Sequence, residues 1–391
     1  MEPPSFRIQP PAFLADPALA TLLAALPGAR FVGGAVRDVL AGRPIADIDL
    51  ATPDPPETTA SRLANAGLRA IPTGLGHGTL TALVGGQSFE ITTLRCDAET
   101  DGRHARVAWT DDWREDAARR DFTINALSMT PDGAVYDYFD GAPDLAAGRV
   151  RFVGDAHRRV AEDYLRILRF FRFQARYGQG APDPDAIAAI EGGAGGLALL
   201  SPERVWSELK RILAAPDPAS SIALMAKLGI LARILPEGAN PARLTDLVAS
   251  DAPPDPLLRL AALLDGDTEA LAVRLRLSIE ERDALLAIRG SPNPDSDSTD
   301  AQLRQFLADT PAAILIARTW LHQAPPELRA RLAALPRPVF PLSGRDALAL
   351  GATPGPTIGR ALAATRAWWL AGGCTADADA CRADLERRLR A

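Results

Sequence analysis

Hydrophobic and polar positions follow two different periods along this chain, and the change falls near residue 150. Before it the pattern is mixed. Residues 16–26 read as a helix, with Asp16 as N-cap, Pro17 at the first helical position and Pro27-Gly28 as the stop. Residues 30–32 predict a short strand that runs into Gly33-Gly34, and 36–40 a second helix. A strand at 48–51 and a helix at 57–66 follow, the helix ending near Gly67. The β-rich runs 79–84 and 88–94 flank Gly85-Gly86, a hairpin signal. Residues 95–110 are polar without a period and predict a loop. Strand-like residues 127–129 and 135–138 surround the turn Pro131-Asp132-Gly133.

Beyond Asp155 the period becomes helical and stays so. Leu165, Leu168, Phe171 and Ala175 predict one apolar stripe, so 162–173 reads as a continuous basic and aromatic helix. Ser201-Pro202-Glu203 starts another helix, with Trp206, Leu209, Ile212 and Leu213 as its buried face. Ala/Leu-rich helices broken by proline clusters fill the remainder, and 291–300 (SPNPDSDSTD) is the best linker candidate. No fixed-period repeat is visible. The expected fold is α+β: a head with a small mixed sheet, then an all-helical body.

Composition narrows the class. The chain has 391 residues and no apolar stretch long enough to span a bilayer, so no membrane role is expected. The N-terminal MEPPSFRIQPP lacks a basic segment followed by an apolar run, so no secretory leader is expected. Cys96, Cys374 and Cys381 make no metal spacing and no even framework, which points to a reducing, cytoplasmic setting. The formal net charge is −6, whereas general polyanion binders are usually basic, so DNA is not an expected partner. His77, His104, His157 and His322 are scattered, and no His-Asp dipeptide of a metal phosphohydrolase occurs.

The candidate chemistry begins at Gly33-Gly34. Glycines between a strand and a helix expose backbone N–H groups and can cradle a phosphate, or merely make a tight turn. Arg37, one turn on, can add a charge-assisted contact. Asp47 and Asp49 alternate on a predicted strand and therefore share a face. Two such carboxylates are either a solvated strand edge or a site for a divalent cation such as Mg²⁺, and the upstream cradle favours the metal. Glu90 is either a third carboxylate beside them or an outward-facing strand residue. Arg119 and Arg120 are adjacent and so diverge on a helix, one free to reach a ligand and the other structural. Asn125 suits a ribose hydroxyl or a backbone loop.

From 149 to 176 there are eight arginines and three acids, a basic island in an acidic chain. Asp163 and Arg166 are i, i+3 neighbours that together offer acceptors and fork donors, as a nucleobase edge does. Arg169 and Arg172 continue the series but drift about 60° per step, so all four are not expected to face one ligand. They are assigned to phosphates or to locking the head to the helices. A salt-bridge ladder along the helix is the bland alternative.

These segments together resemble a known family. Gly33-Gly34-Ala35-Val36-Arg37-Asp38, Asp47-Ile48-Asp49, Glu90-Ile91-Thr92-Thr93, Arg119-Arg120-Asp121-Phe122-Thr123-Ile124-Asn125-Ala126, Glu162-Asp163-Tyr164-Leu165-Arg166 and Ser201-Pro202-Glu203-Arg204 are similar, in order, to the motifs of class II tRNA nucleotidyltransferases, which comprise bacterial CCA-adding enzymes and the related poly(A) polymerases. Tyr164 departs from the small residue or proline usual there. The resemblance implies a polymerase-β-like nucleotidyltransferase head (1–150), a helical neck that recognises the base (151–215) and a helical body and tail that bind tRNA (216–391). It implies untemplated addition of C, C and A to the tRNA 3′ end from CTP and ATP, with release of pyrophosphate. Asp47 and Asp49 would bind Mg²⁺ in a two-metal mechanism, with Glu90 as a further catalytic candidate. Gly33, Gly34, Arg37, Arg120 and Asn125 would meet the nucleotide. Asp163 and Arg166 would read its base in place of a template, and Arg169 and Arg172 would complete the pocket. A poly(A) polymerase, a partial CC- or A-adding enzyme and an inert RNA-binding relative are the rivals. Intact Asp47 and Asp49 argue against the last, and a 372–391 segment with four acids and four arginines argues against the first.

Overall fold

The computed structural model describes residues 2–45, 47–74, 76, 78–100 and 105–390. It forms two compact units, Met1–Ile234 and Leu235–Ala391. The first opens on an eight-stranded mixed sheet of order β1-β10-β9-β2-β3-β6-β5-β4. Its strands are β1 (Phe6–Arg7), β2 (Arg30–Val32), β3 (Asp49–Thr52), β4 (Arg69–Gly74), β5 (Thr79–Val84), β6 (Gln87–Thr93), β9 (Leu127–Met129) and β10 (Ala134–Asp137). A separate antiparallel pair joins β7 (Arg95–Thr100) to β8 (Ala105–Trp109).

All neighbours in the main sheet run antiparallel except β3 and β6. That parallel pairing needs a crossover, supplied by α3 (Pro56–Asn65) and the β4–β5 hairpin. It aligns Asp49 with Glu90. One face of the sheet buries Leu19 and Leu22 of α1 (Pro17–Ala25) against Phe31, Leu50 and Ile91. Asp16 caps α1 by accepting from the Ala18 amide at 2.8 Å, as its position before Pro17 predicts. The buried Arg30 guanidinium lies 4.1 Å from the Trp113 ring and 3.6 Å from the Tyr136 ring. It thereby seats α4 (Trp113–Ala118) on β2 and β10 through cation–π contacts.

The rest of this unit is helical: α5 (Gly141–Ala146), α6 (Ala156–Glu162), α7 (Leu165–Tyr177), α8 (Pro184–Gly193), α9 (Pro202–Leu213), α10 (Ala219–Lys227) and α11 (Ile230–Ile234). Phe122 and Phe152 meet at 4.8 Å, and Phe173 of α7 reaches Phe122 at 5.1 Å. This aromatic cluster fixes α7 beside residues 119–126. Ser201 caps α9 as expected, and Trp206, Leu209, Ile212 and Leu213 are buried. The second unit carries no strand among its described residues. Reciprocal capping boxes start its helices at Ser278/Glu281, Thr299/Gln302 and Ser343/Asp346.

Four expectations change. Residues 95–100 and 105–109 are not irregular but form the antiparallel β7–β8 pair, which main-chain hydrogen bonds make and side-chain periodicity does not report. The strands β1 and β4 were not expected; β4 holds Pro72, which an edge strand tolerates and an interior one does not. Residues 162–173 are not one helix, because Asp163 adopts extended φ −155° and breaks α6 from α7. The 291–300 stretch joins two helices inside the second unit instead of dividing compact units. His77 and His104 lie outside the described residues.

Candidate active site

The β2–α2 junction is built on Gly33, where α2 spans Gly34–Leu40. Gly33 has φ +61° and ψ −119°, a conformation that L side chains rarely adopt. A Cβ there would lie 2.9 Å from Arg120 Nη1. Glycine is therefore required twice over, by backbone conformation and by the approach of Arg120. The junction opens into a cavity of about 1040 Å³ lined by ten arginines and five carboxylates, a strongly basic space in a chain of net negative charge.

At one wall β3 begins at Asp49, with Asp47 two residues before it and Glu90 opposite it on β6. All three line the cavity. Burial pushes the Asp49 carboxyl up, and repulsion by Glu90 and Asp47 adds to this, with Arg120 offsetting part of it. Among the described residues no three or more His, Cys, Asp or Glu side chains form a protein-only metal cage. A carboxylate pair completed by substrate phosphates is the arrangement Mg²⁺ uses. Hard oxygen donors whose mutual repulsion Arg120 only partly offsets fit such an ion.

The opposite wall is held by internal ion pairs. Arg37 is buried, donating Nε and Nη2 to Asp38 at 3.1 Å each and Nη1 to Asn125 Oδ1 at 2.5 Å. Asn125 in turn donates to Asp121 Oδ1 at 2.9 Å. Asp121 Oδ2 accepts from Arg169 Nε at 2.6 Å. Burial alone would raise the Asp121 carboxyl, but Arg169 and Asn125 outweigh it and hold the group below the usual carboxylate range. Arg119 and Arg120 both pair with Asp116, at 2.7 and 3.1 Å, and both line the cavity. Their adjacency does not split them between roles, because one carboxylate one turn earlier serves i+3 and i+4 alike. Asp116 also accepts the Arg95 amide at 3.3 Å.

Asp163 is both a cap and a cavity residue. Its Oδ1 accepts the Leu165 amide at 3.0 Å and its Oδ2 accepts from Arg204 Nη2 at 2.8 Å. Arg166 instead donates to Glu162 at 2.6 Å and to the Arg159 carbonyl at 2.8 Å. Asp163 and Arg166 are thus each oriented by a separate partner. Arg172 Nε approaches the buried Glu208 at 3.3 Å, short of good hydrogen-bond geometry. Burial, with Arg169 and Arg211 nearby, pushes the Arg172 guanidinium down to about 10, so it stays charged at neutral pH. The helical drift did not separate these residues as expected. Asp163, Arg166, Arg169 and Arg172 all line the one cavity, which long arginine side chains reach from a broad arc of α7. Nor do the α7 arginines form a ladder along their own helix: Arg169 pairs with Asp121, Arg172 with Glu208 of α9 and Arg166 with Glu162 of α6.

All twelve residues singled out in the sequence line this cavity. The sequence alone assigns no role to Asp38, Asp116, Tyr177, Arg176, Arg204 and Arg211. The spacing of Asp116 before Arg119-Arg120 was a readable signal; the others depend on contacts between distant segments.

Comparison with known proteins agrees with this geometry. A family model described as the poly A polymerase head domain matches residues 29–151. A second, described as a probable RNA and SrmB-binding site of polymerase A, matches residues 181–240. The mitochondrial CCA tRNA nucleotidyltransferase 1 of Danio rerio is 39% identical over 358 residues, covering 87% of this chain and 83% of the relative. The CCA-adding enzyme of Lacticaseibacillus paracasei is 32% identical over 368 residues, covering 90% and 91%. The crystal structure of the Bacillus stearothermophilus CCA-adding enzyme in complex with CTP matches with a TM-score of 0.77 and 29% identity, covering 96% of this chain and 98% of that one. With that extent of agreement in sequence and fold, from bacterial and mitochondrial relatives alike, the chain belongs to the CCA tRNA nucleotidyltransferase family.

Proposed function

We propose that this chain adds C, C and A to the 3′ end of tRNA without a template, consuming CTP and ATP and releasing pyrophosphate. The observation that carries the reading is a single cavity lined by a glycine-bounded helix start, the carboxylates Asp47, Asp49 and Glu90, and the acceptor Asp163 with the donor Arg166. Gly33, Gly34, Arg37 and Arg120 take the triphosphate, and Arg169 and Arg172 add positive charge on its far side. Asn125 holds Arg37 in place and lies within reach of a ribose. Asp47 and Asp49 hold Mg²⁺, two ions in the full reaction, and Glu90 supports them from β6. Bound there, Mg²⁺ neutralises phosphate charge and lowers the pKa of the attacking 3′-hydroxyl. In-line phosphoryl transfer asks the protein mainly for positioning and charge stabilisation.

Asp163 accepts from the exocyclic amino group that C and A share, while Arg166 donates to the neighbouring ring acceptor. A base with the reverse pattern leaves buried polar groups unpaired, which is how a hydrogen-bonding site rejects it. The working division is a head at 1–150, a neck at 151–215 and a tRNA-binding body and tail at 216–391. No helix among the described residues is long and apolar enough to cross a membrane. The free Cys96, Cys374 and Cys381 favour a reducing compartment, for which the cytoplasm is our reading.

The test is to incubate tRNA lacking its 3′ trinucleotide with each labelled nucleoside triphosphate and sequence the extended ends. Ends of CCA, with pyrophosphate released, are expected. A run of A would favour the poly(A) polymerase that the head-domain model's description names. CC or A alone would mark a partial enzyme, and free phosphate would point to a hydrolase.

A further inference from the structure

Tyr177 is the last residue of α7 and is buried at the cavity edge, 139 residues from its hydrogen-bond partner. Its hydroxyl donates to Asp38 Oδ1 at 2.6 Å. The same carboxylate receives Nε and Nη2 of Arg37, and Tyr177's ring centroid lies 4.5 Å from the Arg37 guanidinium. The third arm of Arg37 continues through Asn125 to Asp121, which accepts from Arg169. A single chain of hydrogen bonds therefore leaves α7 at Arg169, passes the glycine junction and returns to α7 two turns later. Every link is 3.1 Å or shorter, and most are charge-assisted. A guanidinium has five N–H groups. The described contacts occupy three of those on Arg37 and leave one on each terminal nitrogen for a ligand.

We propose that Tyr177 and Asp38 are positioning residues for nucleotide binding. Through Asp38, the Tyr177 hydroxyl fixes the direction in which Arg37 presents its remaining N–H groups to the triphosphate. The helix that carries Arg166 and begins just after Asp163 is thereby tied to the phosphate cradle. This rests on reading the cavity as the nucleotide site.

Tyr177→Phe is the decisive variant because it keeps the ring stacked on Arg37 and removes only the hydroxyl. The full chain is assayed for kcat and KM with CTP and with ATP on tRNA lacking its 3′ nucleotides, and for inhibition by inorganic tripolyphosphate. The KM for both nucleotides should rise by the same factor, about tenfold for a lost charge-assisted hydrogen bond. The inhibition constant of tripolyphosphate should rise with it, kcat should stay within about twofold, and the CTP-to-ATP preference should not change. In an Arg37→Lys background, which cannot form the fork, Tyr177→Phe should add nothing further. A lowered melting temperature with unchanged KM would reduce Tyr177 to a packing residue and overturn the proposal. So would effects of the two variants that multiply, or a change in base preference at constant tripolyphosphate affinity. If the unmodified chain extends no tRNA, the functional reading fails. Direct calorimetry of tripolyphosphate binding to the unmodified chain and to Tyr177→Phe still decides the positioning role.

Discussion

Among the described residues Asp47, Asp49 and Glu90 have no arginine ion pair, whereas the cavity's other two carboxylates, Asp121 and Asp163, are each ion-paired. Asp47→Ala is expected to lower nucleotide incorporation by more than about a thousandfold, the scale of losing transition-state charge stabilisation in a closed site. Its affinity for tRNA, measured by filter binding, should stay close to that of the unmodified chain. Retained turnover would remove the metal role. Asp163→Ala and Arg166→Ala address a different property. Each should cost about a hundredfold or more in discrimination of CTP and ATP against UTP and GTP, read as ratios of kcat/KM. An unchanged ratio would remove the base-reading role. The residues behind these predictions were legible because their spacing is local: D-x-D leading into a strand and D-x-x-R leading into a helix. Asp38 and Tyr177 were not, since neither has meaning until the fold brings α2 and the end of α7 together.

At the scale of elements, the site depends on how strands and helices end. β2 stops before Gly33, whose backbone no other residue matches without strain, and α7 starts at Leu165, whose amide is met by the side chain of the extended Asp163. Gly33→Ala should cost about 1–3 kcal/mol in stability, as for other residues forced into sparsely populated backbone regions. The methyl group would also displace the Arg120 guanidinium, which sits 2.9 Å from where it must go. Thermal unfolding would report the first effect. A KM increase for both nucleotides, exceeding that of a stability-matched core variant, would report the second. The strong elements were readable because turn chemistry and period agreed, as at Gly85-Gly86 between β5 and β6. The break at Asp163 was hidden inside an apolar pattern that runs through it unbroken, since Val160, Leu165 and Leu168 are all buried. The β7–β8 pair was hidden because main-chain pairing needs no alternation of side chains.

At the scale of the molecule, charge is segregated: the chain is acidic overall, yet its main cavity is rich in arginine. Binding of tRNA should therefore weaken steeply as salt rises, which titration in KCl would show. Acid should destabilise the fold. Burial opposes ionisation of Asp116, Asp121 and Glu162, but their arginine partners outweigh it and hold all three below their ordinary values. Stability from such groups is complete above the unfolded carboxylate range near pH 4 and is lost as pH falls through the depressed native values. Asp49 works in the other direction. Its carboxyl is raised, so its contribution is favourable in acid and lost as pH rises through the native value. Where it ionises, Asp49 is a destabilising charge, because burial and the neighbouring Glu90 and Asp47 oppose its ionisation. Asp49→Asn should then melt no lower than the unmodified protein in EDTA, although it should be inactive. Mg²⁺ should stabilise only the unmodified protein, by about 2.7 kcal/mol at a hundred times its Kd. Melting curves with and without Mg²⁺ for the two proteins separate the cases. An Asn variant that melts lower in EDTA, or gains as much from Mg²⁺, would mean that Asp49 is a structural carboxylate and not a metal ligand.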